Sequence, residues 1–120
     1  MLKKVAFTMY PVIDMARARR FYEDSLGLKV GSNHEERWVE YDLPDGGCFA
    51  ITTMAEGVMP SHNSGGSIAF EVDDLSKLMK DLKGKGVKIK IDTFETPVCH
   101  MAIVIDSEGN ALTLHQIARH

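Results

Sequence analysis

The sequence predicts an α+β fold built from two βαβββ modules. Three observations carry that prediction: a capped amphipathic helix that occurs twice, an offset of sixty residues between the two occurrences, and a glycine-centred hairpin late in each half. In the first half, Val5 to Val12 is rich in β-branched and aromatic residues and contains Pro11, which suits a strand end. Asp14 then stands where a helix N-cap belongs. Met15, Ala18, Phe21 or Tyr22, and Leu26 recur at helical steps, and Gly27 supplies the stop. Arg17, Arg19 and Arg20 lie largely off that stripe and read as a solvated face.

The second half repeats the pattern. Ser67 to Val72 alternates as a half-buried strand, Asp73 or Asp74 caps a helix, and Leu75, Leu78, Met79 and Leu82 form its apolar stripe. Gly84 and Gly86 end that helix, and the two candidate caps Asp14 and Asp74 are sixty positions apart (74 − 14). Leu28-Lys29-Val30 is answered by Val87-Lys88-Ile89, which opens a strand over 28–36 in one half and 87–95 in the other. Asp45-Gly46-Gly47 and Ser107-Glu108-Gly109-Asn110 each join two apolar runs, as hairpin turns do. The expected boundaries are a first module over about 1–58, a Gly/Pro/Ser/Asn-rich connector over about 55–66, and a second module over about 65–120 within a single domain. A half of roughly 60 residues is marginal alone, so the halves are expected to depend on each other.

The 120 residues carry a net charge of −3, and no Lys/Arg block is interleaved with aromatics, which argues against a nucleic-acid surface. No apolar run approaches the ~20 residues of a membrane span, and the short stretch before Pro11 does not read as a secretory leader. A cytoplasmic protein is therefore expected, with Cys48 and Cys99 as free thiols. His34, Glu35 and Glu36 adjoin on a polar turn that lacks a frame to hold an ion, and the terminal His120 is expected to be disordered.

With the paired modules, the segment YPVIDMARARRFYEDSLGL and the ending DSEGNALTLHQ, the chain resembles the glyoxalase / bleomycin resistance / extradiol dioxygenase superfamily, the vicinal oxygen chelate proteins. The resemblance covers nearly the whole chain. It implies mixed sheets curved into a cup, helices outside, a small-molecule site on the concave surface, and a homodimer. Metal-using members place a histidine on the first strand, a carboxylate late in module one, a histidine on the first strand of module two and a glutamate on the final strand. Carried onto this sequence, those positions fall on Phe7, Thr52, Ser67 and Thr113. A phenyl and three hydroxyls do not offset a divalent ion's lost hydration, so no metal and no cofactor are expected.

By strand alternation, Phe7, Met9, Ser67, Ala69, Glu71, Ala111, Thr113 and His115 share the surface away from the helices. The expected ligand contacts are Phe7, Met9, Thr52, Ser67, Thr113 and Trp38. Trp38 and Tyr41, on the third strand, offer aromatic surface for a flat ligand or a dimer contact. The expected function is metal-free binding of a small organic molecule, aromatic or antibiotic-like. The alternative is an enzyme: a lyase or isomerase using His115 or Glu71 as acid/base, or a metal-dependent glyoxalase-like or dioxygenase activity with an unorthodox set such as Glu71, His100 and His115. A dimer whose hollow is filled by its own side chains is a third possibility.

Overall fold

A computed structural model describes residues 1–118; His120 lies outside the described residues. The chain divides into two compact units, Met1–Pro60 and Ser61–His120. In each, four strands form one mixed sheet with the first strand parallel to the last, and one helical segment lies between the first and second strands.

In unit one the order across the sheet is β1 (Thr8–Pro11), β4 (Cys48–Thr52), β3 (Trp38–Asp42) and β2 (Val30–His34). The first strand is shorter than the apolar run suggested, because pairing with β4 covers only Thr8 to Pro11 and leaves Val5 and Phe7 exposed. Asp14 caps α1 (Met15–Arg19), accepting a hydrogen bond from the Arg17 N–H at 3.0 Å. The helix then widens into a π turn, Arg20–Ser25, where the Leu26 N–H reaches the Phe21 carbonyl. This turn resolves the ambiguity between Phe21 and Tyr22: both are buried, 7% and 0% exposed, with ring centroids 5.1 Å apart. Gly27, at φ 74°, provides the left-handed residue that lets the Leu28 N–H bond the Tyr22 carbonyl. Under the helix, Tyr22, Tyr41 and Phe49 form an aromatic core, all at 0% exposure.

Tyr41 is thus a core residue. Its hydroxyl donates to Glu23 Oε2 at 2.9 Å, and Arg19 grips the same carboxylate from outside at 2.7 and 3.2 Å. Burial pushes the Tyr41 phenol well up, and its bond to Glu23 adds to that. Burial also pushes Glu23 up, yet the bonds from Arg19 and Tyr41 outweigh it and hold the carboxyl below its ordinary range. Arg19 is accordingly a cross-link in the fold, which corrects its reading as part of a solvated face. It also reaches Glu36 at 2.6 Å.

Unit two has the order β5 (Ile68–Glu71), β8 (Ala111–Ile117), β7 (Cys99–Ile105), β6 (Lys88–Glu95). Of the two candidate caps, Asp74 is the one used: it accepts from Lys77 N at 3.0 Å and opens α2 (Leu75–Gly84). Leu75, Met79 and Leu82 of its stripe are buried against a sheet face that includes Phe70, Leu112 and Leu114. Gln116 adds a second cap by accepting from Leu75 N at 2.7 Å. The β7–β8 hairpin is locked by buried Asp106, whose Oδ1 accepts from the backbone N–H groups of Glu108 and Asn110. Among the described residues no helix is long and apolar enough to cross a membrane.

Candidate functional site

The sheet registers decide which side chains share the faces away from the helices. In unit one, Met9, Ala50, Glu40 and Ser32 stand in one cross-strand row, and Pro11, Thr52, Trp38 and His34 in the next. Trp38 meets Phe7 edge-to-face, with centroids 5.4 Å apart and planes at 86°. The Trp38 Nε1–H donates to Glu40 Oε1 at 2.8 Å, while Glu40 Oε2 accepts from Ser32 Oγ at 3.2 Å and lies 3.9 Å from Cys48 Sγ. Burial pushes the Cys48 thiol up, and the negative charges of Glu40 and Asp42 push it further. Asp42 sits one step along the same face, where Gly31 makes room for it: a Cβ on Gly31 would lie 2.3 Å from Asp42 Oδ2.

Thr52 occupies this face but is spent on the fold. Its hydroxyl donates to the Arg37 carbonyl at 2.7 Å and accepts from Met54 N at 3.0 Å, with 1% of the residue exposed. Glu40, the centre of the polar cluster, is a residue that the sequence reading missed. The signal was present as period-two alternation of Trp38, Glu40 and Asp42 against Val39, Tyr41 and Leu43.

In unit two, Glu71 and His115 are paired across β5 and β8, and their side chains meet: His115 Nδ1 is 2.5 Å from Glu71 Oε1. Glu71 Oε2 accepts from Ile117 N at 2.8 Å. The Ile117 N–H and then the His115 ring hold the Glu71 carboxyl below its ordinary range. In the tautomer that donates Nδ1–H to Glu71, Nε2 is the ring nitrogen left to accept a proton. Next to this pair, Ala69 and Thr113 stand side by side, with Thr113 buried and Ala69 exposed. Ser67 is exposed and precedes β5, so the strand begins one residue later than the alternation suggested.

His100 is placed on the other face. It pairs with Gln116, whose side chain turns to α2, and its near neighbour is Glu95 at 3.9 Å. Glu71, His100 and His115 therefore do not converge, because adjacent residues of a strand point to opposite faces. Among the described residues there is no group of three or more His, Cys, Asp or Glu able to hold a metal ion. A shallow depression of about 530 Å³ beside α1 is lined by Arg19, Glu23 and Glu36, charges already paired with one another.

A model of the Glyoxalase/Bleomycin resistance protein/Dioxygenase superfamily matches residues 4–114. The chain belongs to that superfamily. Solved structures of similar fold include a glyoxalase/dioxygenase from Nostoc punctiforme, with TM-score 0.81 at 15% identity, covering 98% of this chain and 92% of that one. TnmS3, an antibiotic binding protein from Streptomyces sp. CB03234, gives 0.77 at 22% identity, covering 98% of both chains. The fosfomycin resistance protein FosX from Mesorhizobium loti gives 0.72 at 17% identity, covering 97% and 93%. Comparison with curated proteins gives no match.

The metal that superfamily members use does not fit the residues here. Phe7 has no donor, Thr52 has its hydroxyl committed to backbone groups, and Ser67 and Thr113 add neutral hydroxyls where imidazole and carboxylate belong. The registers add a refinement. Thr113 lies beside Ala69 and Ala50 beside Met9, so Ala50 and Thr113 take equivalent places in the two sheets, as Thr52 and His115 do.

Proposed function

We propose that this superfamily member binds a small organic molecule without a metal, on the helix-free faces of its sheets. The observation that carries the reading is the substitution of the ligand positions by a phenyl and committed or neutral hydroxyls, beside the half-exposed Phe7–Trp38 pair. The proposed ligand contacts are Phe7, Met9 and Trp38 on the sheet of unit one, where Thr52 supports them by fixing the strand end, and Ser67 and Thr113 on the sheet of unit two. The fold shared with a protein described as antibiotic-binding supports an aromatic or antibiotic-like ligand. A homodimer in the cytoplasm belongs to the same proposal, tested by sedimentation and cell fractionation.

A thermal-shift screen of aromatic and antibiotic-like compounds, with and without divalent metals, tests the binding. A ligand at a hundred times its dissociation constant adds about 2.7 kcal/mol of stability. Shifts that need no metal are the expected result; shifts that appear only with a metal ion overturn the metal-free reading.

One contact favours a second reading, in which the protein is a lyase or isomerase. Glu71 orients His115 at 2.5 Å, an arrangement suited to a general base whose Nε2 takes a substrate proton. His115→Ala would then abolish turnover without unfolding the protein, and turnover unchanged by that replacement eliminates the enzyme reading.

A further inference from the structure

Resting on the binding function proposed above, we infer that the ligand is an organic cation, a protonated amine or amidinium on a flat apolar skeleton, held by the Glu40 carboxylate beside Phe7 and Trp38. Glu40 is half-buried, and the groups around its oxygens are the Trp38 indole N–H, the Ser32 hydroxyl and the Cys48 thiol. All three are neutral donors. They fix the carboxylate in one orientation without cancelling its charge, and no lysine or arginine pairs with it among the described residues. A half-buried charge held among Met9, Ala50 and an aromatic pair has lost part of its hydration and regains most from a counter-charge.

The surroundings select the sign and shape of that counter-charge. Asp42 stands on the same face as Glu40, so two carboxylates set the sign of the field there as negative. Anionic ligands are disfavoured. The ring faces of Phe7 and Trp38 attract cations and pack flat skeletons, which joins charge selection to shape selection in one patch.

The test uses the full chain and three tricyclic probes of similar shape: proflavine as the cation, acridone as the neutral form and anthracenecarboxylate as the anion. Binding is read by calorimetry and by the fluorescence of Trp38, the sole tryptophan. Proflavine should bind at least about tenfold tighter than acridone, with the anion weakest. Glu40→Gln should bring proflavine to within about threefold of acridone and leave acridone unchanged. Raising salt from about 20 to about 500 mM should weaken proflavine alone.

Acridone binding as tightly as proflavine, or proflavine unaffected by Glu40→Gln, overturns the inference; so does silence from all three probes. If Glu40→Gln fails to fold, the salt series on the unaltered protein decides, and a salt-insensitive proflavine affinity is the refuting result. Compounds that bind without preference for positive charge leave the binding function standing and remove only this inference. Failure of every compound in the wider screen removes both.

Discussion

The β2–β3 hairpin of unit one turns through two glutamates, Glu35 and Glu36, both left-handed at φ 55° and 57°, with Arg37 N bonded to the His34 carbonyl at 3.0 Å. This geometry is the one that Asn-Gly sequences normally supply. A non-glycine residue there costs roughly 1–2 kcal/mol in the folded state, and glycine returns about 0.5–1 kcal/mol of that through its freer unfolded chain. Glu35→Gly should therefore stabilise the protein by about 0.5–1 kcal/mol. At Glu36 the same relief is opposed by the loss of two side-chain contacts, from Arg19 at 2.6 Å and Asn33 Nδ2 at 2.7 Å. Glu36 is 55% exposed, so these together are worth only about 1–1.5 kcal/mol, and Glu36→Gly should be neutral or destabilising by about 0.5 kcal/mol. Adjacent residues with the same backbone strain should thus respond differently, by about 1 kcal/mol, with only Glu35→Gly stabilising. Urea unfolding followed by circular dichroism measures both. Equal stabilisation by the two glycines would refute the view that Arg19 and Asn33 hold the turn in its strained state.

Tyr41→Phe removes a buried donor from the partly exposed Glu23 carboxylate and should cost about 1–2 kcal/mol, read as a lowered urea midpoint with an unchanged slope. Thr52→Val keeps the shape but leaves Met54 N and the Arg37 carbonyl without the hydroxyl; a loss of about 1–2 kcal/mol by thermal melting is expected, and no loss would mean that this hydroxyl is not structural. The Glu71 carboxyl is held below its ordinary value in the folded state, so the stability it contributes is present above that ordinary value and disappears as pH falls through the depressed one. Glu71→Gln should consequently lower stability at neutral pH, where that contribution is present, and flatten the acid limb, so that urea midpoints of the two proteins converge as pH falls; midpoints that differ equally at every pH would refute this.

Much of this architecture was legible in the residues because its signals are local. Asp14 and Asp74 cap, Gly27 and Gly86 take positive φ, and the Leu75–Met79–Leu82 stripe is buried, as spacing alone required. The shortened β1 was not legible, because strand length is set by its partner β4, and no local pattern records a partner. The π turn also escaped, since two adjacent aromatics match a helical stripe equally well. At the site, alternation placed Glu71 and His115 on one face, yet their contact depends on the parallel register of β5 and β8, forty residues apart in sequence (111 − 71). Glu40 went unremarked because an acidic residue within a strand reads as solvent-facing, and its three donors come from Ser32, Trp38 and Cys48 on three different strands.

The parallel pairing of first with last strand makes synthesis order matter. As the chain leaves the ribosome, β1 waits for β4 and β5 waits for β8, so neither module can finish its sheet until its final residues have emerged. Among the described residues, β8 lies between β5 and β7 and pairs with both. A nascent or clipped chain ending before Ala111 would keep its β6–β7 hairpin yet leave Ile68–Glu71 with an unsatisfied edge, a target for proteases and for association with other unfinished chains.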